Sequence, residues 1–405
     1  MRKLIASIVA AIIMVTGLGT TVFAAPEGDD GTYDMDYYGR FQGQDMEINV
    51  YNWGEYLSDG EDGLMDINAE FTELTGIKVN YLNYETNEAM YAKIKSGANS
   101  YDVIFPSDYM VSRLIGEGMI QELNYDNIPN MKYIDKSFLN PVYDPEQKYS
   151  IPYAWGRVGI IYNTTMVDYE VDSWDVLWDE SLKGKILMFK NSRDAFGVAL
   201  LKLGYDINTE DKEQLDEAAA LLKEQKPLVQ AYVMDQIFDK MQNNEAAAAV
   251  YYVGDYYIMS EVNEDLALYI PESTNLFVDA VCIPADAPNK EAAEMYINFL
   301  NEPQVAAENM EYICYSTPNT AAKELLEDET KNNEDLYPSA EELADDTAFV
   351  NLSEETNLYL DQLWTDILAD EEGYNRWFMP AFLVVAVAAI IISFIVKKRK
   401  KSRDR

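Results

Sequence analysis

Residues 47–51 read Glu-Ile-Asn-Val-Tyr and residues 77–82 read Ile-Lys-Val-Asn-Tyr-Leu, two short runs rich in β-branched and apolar residues. The stretch between them carries apolar residues at helical spacing, namely Leu64, Ile67, Phe71 and Leu74. Gly76 follows at once and is typical of a helix end. The pattern predicts a strand, a helix and a second strand. Because strands joined through a helix pair in parallel, this stretch predicts an α/β domain.

The alternation continues along the chain and predicts a second α/β unit. Further strands are expected at 101–105, 159–162, 185–189 and near 245–252, and further helices at 87–96, 195–203, 213–225, 290–300 and 356–368. The runs 150–155 and 277–284 indicate extended segments that cross between two units. A chain that leaves one α/β domain, builds another and returns creates a cleft between them, beyond the carboxyl ends of the strands.

The two ends of the chain have the patterns of targeting segments. A basic start, an apolar run and a small-residue ending predict a signal peptide over residues 1–24. Residues 377–396 carry no charge and are followed by a basic cluster, which predicts a transmembrane helix with a cytoplasmic tail. The predicted division is a signal peptide at 1–24, a flexible acidic lead-in at 25–45, a first domain from 46–152 and 277–325, a second from 153–276 and 326–372, a transmembrane helix at 377–396 and a basic tail at 397–405.

The composition excludes several classes of function. The chain has 71 acidic and 31 basic residues and a net charge of −40, so its field repels nucleic acid and attracts cations. It has no histidine, which excludes Ser-His and Cys-His catalysis and most zinc sites. Cys282 and Cys314 are the only cysteines, and they are equally compatible with a disulfide and with two free thiols.

Six collinear blocks carry a resemblance to a known family. They are 50–56 (Val-Tyr-Asn-Trp-Gly-Glu-Tyr), 85–93, 101–109, 117–121, 149–156 and 315–319 (Tyr-Ser-Thr-Pro-Asn). Together they resemble the bacterial spermidine/putrescine-binding proteins of polyamine ABC importers, over roughly residues 46–370.

The resemblance implies a two-domain periplasmic-binding-protein-like α/β fold with a ligand cleft between the domains, to which the sequence adds one C-terminal transmembrane helix. It implies a monomeric receptor, not an enzyme, that captures putrescine or spermidine without a cofactor and delivers it to an ABC permease. With the membrane helix, the expected location is a single-pass membrane protein whose binding domains face outward.

The resemblance also implies ligand contacts in the first domain. Trp53 and Tyr56 match an aromatic wall with the carboxylate of Glu55 between them. Ser107 and Tyr109 match polar contacts after the third strand, although Ser107 is equally suited to an N-cap role. Asp108 adds charge at the same turn and is alternatively a solvated first-turn acid.

In the second half of the chain the matched residues are Asn191, Asp194, Tyr252, Asp255, Phe277, Asp279 and Tyr315. Asn191 stands where the family often has an acid, and a neutral amide cannot neutralise an ammonium. Asp279 is the strongest candidate, because a lone Asp in so apolar a strand, Leu276 to Ile283, is explained by a cation. The family's last polar contact aligns near Phe349 and is therefore expected to be lost.

Two other functions remain open at the level of sequence. Thirty tyrosines and many carboxylates could bind ferric iron or another cation in the same fold. A secreted hydrolase with paired carboxylates is the more remote alternative, since no defined spacing supports it.

Overall fold

The computed structural model describes residues 33–98 and 100–369. The strands are β1 (Met46–Trp53), β2 (Ile77–Tyr84), β3 (Val103–Ile104), β4 (Ser150–Asn163), β5 (Ile186–Phe189), β6 (Val229–Val233), β7 (Ala248–Tyr252), β8 (Leu266–Tyr269) and β9 (Leu276–Cys282).

The helices alternate with these strands and are connected by short 3₁₀ turns. They are α1 (Met35–Tyr38), α2 (Ile67–Thr75), α3 (Asn87–Lys95), α4 (Asp108–Gly116), α5 (Ser192–Leu203), α6 (Lys212–Gln225), α7 (Gln236–Gln242), α8 (Val253–Val262), α9 (Lys290–Leu300), α10 (Pro303–Ile313), α11 (Thr320–Leu325), α12 (Asp328–Lys331) and α13 (Glu354–Ala369).

The first strands form the parallel unit that the sequence predicts. β1 pairs in parallel with β2 on one side and with β3 on the other. The intervening α2 begins at the N-cap Asp66, whose carboxylate accepts from Ala69 N at 2.9 Å, and ends at Gly76, which has a left-handed φ of 77°. The predicted strand, helix and strand are therefore confirmed, together with the glycine that ends the helix.

Two long strands connect this unit to the second one. The strand order is β2-β1-β3-β9-β4-β7-β5-β6, with β8 also paired to β4. The first part of β4 pairs with β9, and the part from Val158 onward pairs with β7 and β8. The two predicted crossing segments lie in these strands. The predicted domain boundaries at 152/153 and 276/277 stay a prediction.

Three clusters of buried apolar residues form the cores of the two units. Two cover the opposite faces of the first sheet, because alternate β1 residues such as Val50 and Tyr51 point to opposite sides. The third lies in the second unit, around β5, β7, α5 and α6. Each unit thus has its own core, and the cleft lies between them.

Several elements were not predicted. Helix α8 follows β7 directly, although its Val-Gly-Asp-Tyr-Tyr start has low intrinsic helix propensity, so tertiary packing overrides the local preference. Residues 33–45 were predicted to be part of a flexible lead-in, but in the structure they include α1, which packs against the first unit. Tyr38 is buried there and donates to Glu302 Oε1 at 2.6 Å. Both cysteines are free thiols.

The expected fold class needs one correction. None of the helices within residues 33–98 and 100–369 is long and apolar enough to cross a membrane. The last of them, α13, has two glutamates in its first turn. The predicted transmembrane helix at 377–396 and the predicted signal peptide lie outside the described residues. Within the described residues the fold class is therefore the two-domain α/β fold, and they add no membrane helix to it.

Candidate functional site

A cleft of about 610 Å³, including its open mouth, lies between the two units. All the predicted site residues except Asn191 and Asp255 line it. These lining residues are Trp53, Glu55, Tyr56, Ser107, Asp108, Tyr109, Asp194, Tyr252, Phe277, Asp279 and Tyr315. They come from six separate chain segments, which meet because the carboxyl ends of β1 and β3 face the second unit.

The end of β1 supplies the first wall. The Trp53 indole N–H donates to the carbonyl of Phe105 at 2.9 Å, which fixes the ring beside the cleft. Glu55 has a left-handed φ of 44°, a conformation that costs an ordinary residue about 1–2 kcal/mol. Such strain is concentrated at functional sites. Tyr56 follows and is buried, with its hydroxyl directed at β9.

Asp279 lies at the centre of the cleft with one oxygen bonded and one free. Its Oδ2 accepts from the Tyr56 hydroxyl at 2.6 Å, while its Oδ1 has no hydrogen-bond partner among the described residues. Burial raises the pKa of the Asp279 carboxyl to about 6, against the hydrogen bonds from Ser107 and Tyr56, which lower it. A buried carboxylate oxygen without a partner is costly, and a bound cation would satisfy it.

The start of α4 supplies a second group. Ser107 occupies the N-cap position but makes no side-chain capping bond; its hydroxyl accepts from Asn87 at 3.0 Å, and its backbone forms a bridge with that of Asp279. Asp108 is buried, in contrast to the solvated alternative, and its Oδ2 also lacks a partner. The Tyr109 hydroxyl donates to Glu88 Oε1 at 2.9 Å. Ser107 therefore lies beside the acid of β9, and its side chain does not cap the helix.

The start of α5 contributes from the second unit. Asp194 is buried on the lining, and burial, together with the Glu88 carboxylate, raises its pKa to about 7 although Arg193 lowers it. Arg193 is itself buried, with its guanidinium 4.4 Å from the centre of the Phe349 ring. Asn191 does not line the cleft: its side chain accepts from Arg193 N at 3.3 Å as the N-cap of α5.

Aromatic rings form the floor between the two units. Phe277 contacts Tyr252 with ring centres 5.0 Å apart and Tyr315 with centres 5.6 Å apart, and Tyr315 lies 5.4 Å from Tyr56. Behind this floor Asp255 Oδ2 accepts from the Tyr315 hydroxyl at 2.8 Å. Asp255 is thus a buried support of Tyr315 rather than a lining residue.

Other lining residues were missed by the sequence reasoning. They are Gly54, Met234, Asp235, Phe238, Tyr251, Asn275 and Phe349. Phe349, at the position of the contact expected to be lost, replaces that polar contact with a ring 5.9 Å from Tyr109. Asp235 lies just after β6. A strand predicted at 229–233 would have placed Asp235 near a strand end and so made it a candidate site residue.

The acids that line the cleft or lie directly behind its lining form two groups. The inner carboxylates are Glu88, Asp108, Asp194 and Asp279. The outer carboxylates are Glu55, Asp235 and Asp255. Burial, and then the charges of Asp235 and Glu55, raise the pKa of Asp255 to about 8, although the hydrogen bond from Tyr315 lowers it. Across the mouth the two units are also joined by an ion pair between Glu85 and Lys190.

A family model for bacterial extracellular solute-binding proteins matches residues 66–338. The chain is similar to the spermidine/putrescine-binding periplasmic protein of Escherichia coli, with 39% identity over 297 residues, 73% of this chain and 84% of that protein. It is also similar to the putrescine-binding periplasmic protein SpuD of Pseudomonas aeruginosa, with 32% identity, covering 79% of this chain and 91% of that one.

Among solved structures, a putative spermidine/putrescine ABC transporter protein from Listeria monocytogenes superposes with a TM-score of 0.76 at 37% identity, covering 80% of this chain and 99% of that one. The relatives are named as periplasmic proteins, and none of the described helices can span a membrane. The expected single-pass membrane location is therefore corrected: the described residues give it no support, and the family whose model matches is that of bacterial extracellular solute-binding proteins.

Proposed function

Because the chain belongs to the bacterial extracellular solute-binding proteins, and among them to the spermidine/putrescine-binding receptors of ABC importers, we propose that its cleft binds a polyamine and delivers it to a permease. It is a receptor and not an enzyme, as its relatives are substrate-binding proteins. The proposal also includes the assignment of the residues that hold the ligand and the expectation that the receptor is a monomer.

The observation that supports a cationic ligand most directly is the Asp279 carboxylate. It is buried and directed into an aromatic cleft, and its Oδ1 has no partner among the described residues. An ammonium group there would supply a charge-assisted hydrogen bond and offset the desolvation of the carboxylate. Phosphate or another anion would instead meet repulsion from every acid of the cleft.

The aromatic floor suits the methylene chain of a polyamine. Tyr56, Phe277 and Tyr315 present ring faces and edges along the cleft. Each ring that meets an ammonium contributes about 0.5–2 kcal/mol by cation–π attraction and also covers apolar ligand surface. The combination of separated carboxylates and intervening rings therefore matches a flexible chain with charged ends.

The two-unit architecture explains how binding is transmitted. Ligand contacts are shared between β1 and β9 of the first unit and α5 of the second, so occupancy favours the closed arrangement. The Glu85–Lys190 ion pair adds a small stabilisation to closure, since both side chains are about half exposed. The closed form is the one that we expect to dock on the permease.

The ferric alternative is disfavoured by the tyrosines themselves. Burial raises the pKa of Tyr56 and of Tyr315 well above its usual value, which favours the neutral phenol over the phenolate that binds iron. Both hydroxyls already donate to carboxylates, to Asp279 and Asp255 respectively.

Isothermal titration of the full chain with putrescine, spermidine, spermine and ferric citrate tests the proposal. We expect saturable polyamine binding with a dissociation constant on the order of nanomolar to micromolar, about −8 to −12 kcal/mol, and no ferric binding. Binding of ferric ion without binding of any polyamine would overturn it.

A further inference from the structure

We propose that Asp235 and Glu55 form a carboxylate clamp for the outward-facing ammonium of the ligand, and that Gly54 is the residue that allows the clamp to assemble. This inference rests on the proposed polyamine function and extends it to a specific end of the ligand. Glu55 belongs to the first unit and Asp235 to the second, so the clamp spans the cleft.

The approach of Asp235 to the first unit is unusually close. A Cβ atom placed on Gly54 would lie 2.0 Å from Asp235 Oδ2 and 3.0 Å from its Cγ. The carboxylate of the second unit thus occupies the space in which any other residue at position 54 would place its side chain. Gly54 does not have a left-handed backbone, so alanine could adopt its conformation. The requirement for glycine is therefore steric, and it comes from the opposite unit.

The Asp235 carboxylate is not used elsewhere. Asp235 is the N-cap of α7, a position where an aspartate side chain ordinarily accepts from the helix backbone, but it makes no capping bond. Within residues 33–98 and 100–369 it forms no ion pair with a lysine or arginine. Its side chain instead lines the cleft, where it is partly buried.

The neighbours of Asp235 carry the same charge and thereby favour a cation. The carboxylates of Asp235 and Asp59, after burial, raise the pKa of Glu55, and Asp235 acts in the same direction on Asp255. Like charges that share a partly desolvated site are stabilised most by a cation that binds between them. An ammonium at this point would relieve the repulsion and join the two units through one ionic contact.

The clamp lies where the cleft opens into a wider groove. Glu55, Asp235 and Phe238 line both the cleft and this groove, whose other side chains include Asp239 and Glu311. A ligand that enters through the groove meets the clamp before it reaches Asp279. The inner carboxylate therefore receives one ammonium and the clamp holds the other, which defines a length requirement for the ligand.

Titration of full-chain variants with putrescine and with 1-aminobutane, which has one ammonium, tests this inference. We expect Asp235→Ala to weaken putrescine binding roughly tenfold to a hundredfold, as for the loss of one charged hydrogen bond, and to change 1-aminobutane binding less than about threefold. The matched control is Glu224→Ala, which removes the same charge from an exposed position of α6 that lines neither the cleft nor the groove, and it should stay within about twofold of the unchanged chain.

Gly54→Ala supplies the second arm. In the otherwise unchanged chain, Gly54→Ala should weaken putrescine binding as strongly as Asp235→Ala does, because the added methyl group displaces the Asp235 carboxylate. In the Asp235→Ala background it should have no further effect, because the clash is gone.

The outcomes separate the two proposals. If the unchanged chain binds no polyamine, the proposed function itself fails. If it binds putrescine but Asp235→Ala has no larger effect than Glu224→Ala, or if both ligands lose affinity equally, the clamp is overturned while the function stands.

Discussion

The inner and outer carboxylates of the cleft differ in how their charge is compensated. The inner group has protein partners: Tyr56 donates to Asp279, Tyr109 donates to Glu88, and the buried Arg193 acts on Asp194. In the outer group only Asp255 has a donor, Tyr315, and the described residues contain no ion pair to Glu55 or Asp235. The inner group is a prebuilt site whose oriented carboxylates leave three buried oxygens without a partner among the described residues, Glu88 Oε2, Asp108 Oδ2 and Asp279 Oδ1. The outer group instead depends on a ligand and on closure.

The difference teaches that the two ends of the ligand are bound by different means. At the inner end the protein has already oriented the carboxylate, so binding mainly satisfies an atom that burial left unpaired. At the outer end the acids repel each other until a cation arrives, so binding and domain closure are coupled. We therefore expect inner substitutions to remove affinity outright and outer ones to change ligand selectivity.

Asp279→Ala is the substitution with the largest expected effect. Removal of the buried partner of an ammonium costs on the order of 3–5 kcal/mol, so polyamine affinity should fall about a hundredfold to several thousandfold. The unfolding midpoint of the free protein should hardly fall, because the carboxylate is desolvated and incompletely bonded there. Titration and thermal unfolding measure the two quantities.

The control for Asp279→Ala is Asp286→Ala, which removes an exposed acid from the same unit. It should leave affinity unchanged within about twofold. If Asp279→Ala retained its polyamine affinity, the inner group would not be the main binding site for the ammonium. The contrast drawn between the inner and outer carboxylates would then be wrong.

The pH dependence of binding is the next largest effect. The pKa values of Asp279, Asp194 and Asp255 are raised to about 6, 7 and 8. The folded, ligand-free protein therefore holds protons that the unfolded chain has lost, and these groups lower its stability as pH rises from about 4 to 8. A polyamine cation favours the deprotonated forms, so affinity should rise over pH 6–8 and the ligand-induced shift of the unfolding midpoint should grow.

Titrations at pH 7 in buffers of different ionisation enthalpy should detect release of on the order of one proton per ligand. Asp255→Asn should remove most of that release, because the outer group contributes the highest of the three pKa values. A release that is unchanged in this variant would assign the proton to the inner group instead.

Asn191→Asp is the smallest expected effect. Asn191 is the N-cap of α5 and does not line the cleft, and aspartate is an equally good N-cap. The ratio of spermidine to putrescine affinity should therefore change by less than about threefold. Ser192→Ala, at the next position of the same helix, serves as the comparison for local packing. A larger change in the ratio for Asn191→Asp would place a third carboxylate in the inner group.

Much of the fold could be predicted from local pattern alone. The helices at 290–300 and 213–225 and the strand–helix–strand at 47–82 follow from apolar periodicity and helix-ending residues, and the structure has them within a residue or two. Helix α8 could not be predicted in this way, because Gly254 and its aromatic neighbours are stabilised as a helix by packing against the other unit. A Cβ on Gly254 would lie 2.2 Å from the Tyr315 ring.

The sequence by itself determined the chemical class of the site. Six collinear blocks resemble the polyamine-binding family, and the acids and aromatic residues at the matched positions indicated a receptor for a cation, with which the net charge of −40 agrees. These are properties of residue type and local order, which do not depend on how distant segments meet.

Only the tertiary structure decided which of these acids share a cavity and what each one lacks. Asp235 and Gly54 are separated by 180 residues, and no local pattern connects them, yet the carboxylate of one fills the side-chain space of the other. Burial decided the rest: it left Asp279 Oδ1 without a partner and moved Asn191 to a helix cap. The unpaired oxygen of Asp279 depends on the packing of one unit against the other, because desolvation is a property of the assembled cleft and not of the chain.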